Sequence, residues 1–143
     1  MSETWMVAHD FSPCSDAAAF EAARLLAPLK GSVRLFHVHP PAEVRPELAW
    51  GETTQAMERE IRARLESLGA QMRATHPGVT VEVDVASGDA VAGILSGAQR
   101  ASVDHIVVGT HGRKGVAHFV LGSVAERIVR EATIPVLVVK GNE

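Results

Sequence analysis

The short apolar runs of this chain never follow one another directly, and that alternation restricts the fold more than any other feature. The runs are Trp5-Met6-Val7-Ala8, Val33-Arg34-Leu35-Phe36-His37-Val38, the stretch 79–85, Ile106-Val107-Val108, and Pro135-Val136-Leu137-Val138-Val139. Between each pair lies a segment with helical spacing. Two parallel strands need a crossover of a dozen or more residues, usually a helix, whereas antiparallel ones can close through a tight turn. The order β-α-β-α-β-α-β-α-β therefore predicts an α/β fold, a five-stranded parallel sheet with helices on both faces. Physical rules alone leave two strand orders open.

Within that frame Ser12-Pro13 supplies a helix cap and a first-turn proline. The following helix, 15–29, packs through Ala19, Ala22, Ala23 and Leu26 and stops near Pro28 and Gly31. Residues 39–54 read as a loop carrying Trp50, and 55–75 as an amphipathic helix on Met57, Ile61, Leu65, Leu68 and Met72. Glu58 with Arg62 and Glu60 with Arg64 stand at i,i+4 spacing on its outer face. In 79–85, valines at 79, 81, 83 and 85 alternate with Thr80, Glu82 and Asp84, which predicts a strand with one wet face at a sheet edge. A third helix, 89–100, turns Val91, Ile94, Leu95 and Ala98 inward.

Residues 106–124 form the most specific unit. An apolar strand passes through Gly109, Gly112 and Gly115 to Gly122-Ser123, where Leu121, Val124, Ala125, Ile128 and Val129 begin a helical stripe. A strand, a glycine loop and a helix start present free backbone N–H groups and the positive end of a helix to an anion. The spacing Gly109-x2-Gly112-x9-Gly122-Ser123, flanked by Gly109-Thr110-His111-Gly112-Arg113 and by Pro135-Val136-Leu137-Val138-Val139, resembles the nucleotide-binding fingerprint of the universal stress proteins. The resemblance covers nearly the whole chain.

That resemblance implies a single Rossmann-like (adenine nucleotide alpha hydrolase-like) domain over 1–143, with strand order 3-2-1-4-5. Strands one and four are then neighbours where the winding reverses, and a crevice opens at their carboxyl ends. It implies an ATP-binding stress-response module that takes ATP with or without Mg²⁺. Asp10 would reach the adenine-ribose end, Val38 line the adenine pocket, and Val108 and Gly109 pass beneath the ribose. Gly112, Gly122 and Ser123 would hold the phosphates, with charge added by Arg113. Ala8, His9 and Val124 flank these positions and belong to the same implied set. Glycine at 109, 112 and 122 permits φ > 0 and lets backbone approach anionic oxygens. A histidine, His118, stands where the family often carries arginine.

Blander readings stand beside these. The glycines can serve turns alone, and Asp10 can be a turn acid before Ser12-Pro13. His9, His37 and His39 could converge at one rim as zinc ligands, although no His-Glu-x-x-His helix or carboxylate-rich spacing accompanies them. No Gly-x4-Gly-Lys-Ser/Thr loop or Gly-x-Ser-x-Gly elbow is present. Slow ATP hydrolysis or phosphotransfer, or a protein-interaction module binding another adenine nucleotide such as cyclic AMP, are the alternatives to ATP binding.

Composition sets the outer limits. A formal charge of −3 and 22% charged residues leave no basic surplus for a nucleic-acid backbone. No apolar run approaches membrane-spanning length and the first residues lack a signal-peptide pattern, so neither nucleic acid nor membrane is expected as a partner and the cytoplasm is the expected compartment. Cys14 is the single cysteine, so no intramolecular disulfide can form. The last strand, from Ile134 at its start to Val139 at its end, is uncharged and would lie at a sheet edge that must be covered. Pairing with its own copy covers it, as in the homodimers universal stress proteins form through that strand. Protection by Gly141-Asn142-Glu143 and the terminal helix is the alternative.

Overall fold

The computed structural model describes residues 2–40, 52–111 and 121–141, with side chains in the second stretch from residue 55. In chain order the elements are β1 (Thr4–Ala8), α1 (Pro13–Leu26), a 3-10 turn (Ala27–Leu29), β2 (Ser32–His39), α2 (Glu52–Thr75), β3 (Thr80–Ser87), α3 (Ala90–Arg100), β4 (His105–Gly109), α4 (Ser123–Glu131) and β5 (Val136–Val139). The sheet runs β3-β2-β1-β4-β5 and every pairing is parallel. This is the Rossmann-like order 3-2-1-4-5, with β3 and β5 at the edges.

Because neighbouring side chains of a strand point to opposite faces, each strand feeds two cores. Val7, Leu35 and Val107 pack beneath α1 and α2. Met6, Phe36, Ile106 and Val108 pack beneath α3 and α4. On the first face Ala18, Ala19, Ala22 and Ala23 are wholly buried, so α1 lies close upon the sheet. Ile61, Leu65, Leu68 and Met72 bury the expected stripe of α2, with Met57 partly covered at its upper end.

Several boundaries differ from the sequence reading. The first helix begins at Pro13, capped by Ser12 Oγ accepting from Ser15 N–H, and gives way at Ala27 to the 3-10 turn that contains Pro28. Asp89 is the cap of α3 and not its first residue, since its carboxylate accepts from Ala92 N–H at 2.9 Å. The stripe expected on α4 is narrower: Ala125 and Ile128 are buried, while Val124 and Val129 flank them at 39% and 45% exposure. Trp50 lies outside the described residues.

The i,i+4 pairs expected on α2 do not form. Arg62 instead reaches Val83 C=O and Asp84, Arg64 lies 4.0 Å over the Phe11 ring, and Glu58 faces His39 at 3.6 Å. An exposed helical ion pair contributes only about 0.3–0.5 kcal/mol, so a partner on the sheet readily displaces it.

Candidate functional site

A cleft of about 550 Å³ opens at the carboxyl ends of β1 and β4, the point where the sheet reverses its winding. That is a volume suited to a nucleotide-sized ligand. Its floor is apolar, built from Ala8, Phe36, Val38 and Val108 at the ends of three adjacent strands. Ala90 and Ile94 of α3 form one wall, and Leu121, Val124 and Ala125 form the other. Polar groups enter from one rim through Asp10 and Ser15 and from the opposite rim through His111 and Ser123.

Of the residues singled out from sequence, Ala8, His9, Asp10, Val38, Val108, Gly109, Gly122, Ser123 and Val124 all line this cleft. Gly112 and Arg113 lie outside the described residues. Phe36, Ala90 and Ile94 were not singled out. Their signal lies in α3, where Gly93 and Gly97 stand one turn apart. A Cβ on Gly93 would come within 2.9 Å of the Val38 side chain, and one on Gly97 within 2.8 Å of the Phe36 ring. The glycine pair lets α3 settle onto β2 and close that wall.

Asp10 is held as an acceptor. Its Oδ1 takes bonds from Ser12 N–H at 3.0 Å and Ser15 Oγ–H at 2.5 Å, while Asp10 N–H donates to Ser15 Oγ at 3.1 Å. Among the described residues none donates to Oδ2. The turn role occupies one carboxylate oxygen and leaves the other without a donor among the described residues, so it does not by itself exclude a role in the cleft. Burial pushes this carboxyl upward, but the bonds from Ser12 and Ser15 outweigh it and hold its pKa below the ordinary carboxylate value.

Across the cleft, Gly122 is the N-cap of α4 and no side chain caps the helix. Gly122 is extended, at φ −60 and ψ 159, so the positive φ that glycine permits is not used there. Its own N–H is already bonded to Thr110 C=O at 2.6 Å, which removes it as a phosphate donor. The first helical amides, beginning with Ser123, are the uncapped ones, and the helix dipole favours negative charge beside them. Gly109 also has no positive φ. A Cβ there would meet the backbone carbon of Cys14 at 2.8 Å, so glycine serves the approach of α1 to β4.

The histidines take other work. His9, two residues beyond Val7, points its ring to the α1 side, where it is 4% exposed. Phe11 N–H donates to His9 Nδ1 at 3.1 Å, so the proton is on Nε2, which donates to Asp16 Oδ1 at 2.8 Å. His37 Nδ1–H donates to His9 C=O at 2.7 Å, and His39 Nδ1–H to Pro40 C=O at 3.2 Å. The three imidazoles share a face but not a centre, and no group of three His, Cys, Asp or Glu able to hold a metal occurs among the described residues. Phe11 has φ +65, a conformation that disfavours bulky side chains. Its ring is held between those of His9 and His37, with centroids at 5.1 and 4.8 Å.

Burial outweighs the carboxylates near His9, and desolvation likewise dominates at His37, so both pKa values lie below the ordinary 6.5. The unfolded chain then binds more protons than the folded one as pH falls below that value, and stability is lost on acidification. Asp10 acts with the same sign at lower pH. The melting temperature is expected to fall steadily from about pH 7 toward about pH 5, with a shallower slope in His9→Gln. A melting temperature constant over that range in the wild type would contradict it.

The model of the universal stress protein family matches residues 1–140. The chain belongs to that family. Universal stress protein YxiE of Bacillus subtilis is 30% identical over 150 residues, covering 98% of this chain and 100% of its own length. MJ0531 of Methanocaldococcus jannaschii is 30% identical over 109 residues, 76% of this chain and 63% of its own. A universal stress protein of Mycolicibacterium smegmatis is 33% identical over 92% of this chain but only 43% of its own. Among solved structures, hypothetical protein MJ0577 superposes with a TM-score of 0.83 at 26% identity, covering 100% of this chain and 99% of that one. A universal stress protein in complex with cAMP (TM-score 0.73, 23% identity, 99% and 98% covered) and an AMP-bound one from Arabidopsis thaliana (0.63, 24%, 98% and 92%) share the fold.

Proposed function

We propose that this universal stress protein is a stress-response module that binds an adenine nucleotide, ATP foremost, in the cleft between β1 and β4. The observation that carries the reading is the pairing of two unlike rims across one apolar floor. Asp10 offers an unspent carboxylate oxygen on one side, suited to a ribose hydroxyl, and α4 offers uncapped amides on the other, suited to phosphate. Phe36, Val38 and Ile94 supply the apolar surface a purine needs between them. Related proteins solved with cAMP and AMP support the adenine end of this reading more than the triphosphate end. The residues proposed to bind are Ala8, His9 through its backbone, Asp10, Val38, Val108, Gly109, Ser123 and Val124. Mg²⁺, where it accompanies ATP, would be carried on the phosphates.

The chain is further proposed to work as one domain and as a cytoplasmic homodimer paired through β5. Support comes from the β5 edge, half-buried and without charge, and from Val129 exposed on the neighbouring helix.

The test is direct. Mass spectrometry of small molecules released from the purified protein is expected to show an adenine nucleotide. Thermal shifts with ATP, AMP and cAMP at equal concentration are expected to be largest with ATP, which at a hundredfold excess over its own Kd would stabilise the protein by about 2.7 kcal/mol. No shift with any of the three rejects the reading. A larger shift with cAMP or AMP makes the phosphate rim subordinate to the base and ribose contacts.

A further inference from the structure

The two edges of the sheet are finished differently. Thr80 N–H bonds Gly31 C=O at 3.0 Å and Gly88 N–H bonds His39 C=O at 2.9 Å, so the even-numbered residues of β3 face β2. In a parallel strand the alternate residues face away, and on β3 these are Val81, Val83, Val85 and Ser87. Three of their outward groups are taken by side chains. Arg73 Nη1–H donates to Val81 C=O at 3.2 Å, Arg62 Nη1–H donates to Val83 C=O at 3.3 Å, and Val85 N–H donates to Asp84 Oδ1 at 2.9 Å. The arginines come from α2 on one face of the sheet. Asp84, in register with Phe36, projects from the other. Arg62 Nη2 lies 3.8 Å from Asp84 Oδ1, so the strand is clasped across its edge, and Arg34 Nη1 stands 4.0 Å from Asp84 Oδ2 behind it.

On β5 the pattern is the reverse. Ile106 N–H bonds Pro135 C=O and Thr110 N–H bonds Val139 C=O, both at 3.0 Å, which leaves Val136 and Val138 facing outward. Among the described residues no side chain bonds to either. Among the described residues, one edge is occupied by the protein's own side chains and the other carries none.

We infer that Arg62, Arg73 and Asp84 lock the β3 edge against a second copy of this chain, so that self-pairing is confined to β5 and the assembly closes. Addition at β3 would require both guanidinium groups to leave their carbonyls, and would bring the arginines of two copies together. With β3 open as well as β5, each copy would offer two pairing edges and the assembly would extend without closing. The lock does not depend on nucleotide binding. It rests on the proposed dimer only for the size at which assembly stops.

The experiment is sedimentation velocity of wild type and Arg62→Ala/Arg73→Ala from low to high micromolar concentration. The double variant is expected to show about a twofold or greater rise in weight-average mass over wild type, growing with concentration. Its formal charge moves from −3 to −5, which opposes association, so the rise cannot come from lost repulsion. Arg59→Ala/Arg100→Ala makes the same charge change without touching β3 and is expected to match wild type. Adding Val83→Pro to the double variant is expected to restore the wild-type mass, because the N–H of that residue faces outward and proline blocks a pairing strand. Circular dichroism confirms that each variant is folded. An unchanged mass in the double variant overturns the inference, as does equal growth in the Arg59/Arg100 control or growth that Val83→Pro does not reverse. A monomeric wild type beside an associating double variant would reject the β5 dimer while leaving the lock intact.

Discussion

Gly109→Ala is expected to destabilise the protein by about 1–3 kcal/mol, lowering the melting temperature by roughly 3–10 °C, and to weaken nucleotide binding with it. The cause is steric. The new methyl would lie 2.8 Å from the backbone carbon of Cys14, 2.8 Å from its Cβ and 2.9 Å from its carbonyl oxygen. Backbone in the first turn of a helix cannot swing aside as a long side chain can, so α1 must move outward from β4. Ser12 and Ser15 ride on that turn, and they are the two donors that hold Asp10. Strain introduced on the floor of the cleft is thereby passed to its rim. Cys14→Ala is not expected to rescue the variant, because all three atoms struck, the main-chain carbon, the carbonyl oxygen and the Cβ, remain in alanine. Full rescue would show that the thiol side chain, and not the approach of the helix, is what glycine accommodates.

Much of this arrangement was legible before any coordinates, for a specific reason. Strands such as Ile106-Val107-Val108 are buried on both faces, so they appear as unbroken apolar runs, and the long stripe of α2 could only be a helix with one covered side. The face taken by His9 was legible too, since it shares the parity of Val7, yet its place at the end of β1 drew attention to the cleft instead. What could not be read was the identity of distant partners. Gly109 looks like a phosphate-loop glycine until Cys14 is placed against it, and Gly122 looks like a donor until its N–H is found on Thr110. Arg62 and Arg64 have good partners in sequence at i−4 and better ones in space. Phe11 carries no sign of its left-handed backbone, because the residues that hold it come from β2 and α2 as well as from its own turn.

Asp10 separates recognition from architecture, and two substitutions should divide the effects. Asp10→Ala removes the acceptor of both Ser12 N–H and Ser15 Oγ–H and leaves these buried donors unpaired, for an expected loss of about 1–3 kcal/mol in stability. Asp10→Asn can keep its carbonyl oxygen in the Oδ1 position, so both bonds survive and stability should change by less than about 1 kcal/mol. It places an amide where Oδ2 was, turning an acceptor toward the cleft into a donor. A ribose hydroxyl that had donated to a carboxylate would then lose a charge-assisted bond, and ATP affinity should fall about tenfold or more in both variants. Calorimetric titration alongside thermal melts would distinguish the two. Wild-type affinity in Asp10→Asn would mean that the open oxygen does not touch the ligand, and that this carboxylate serves only to fold the turn between β1 and α1.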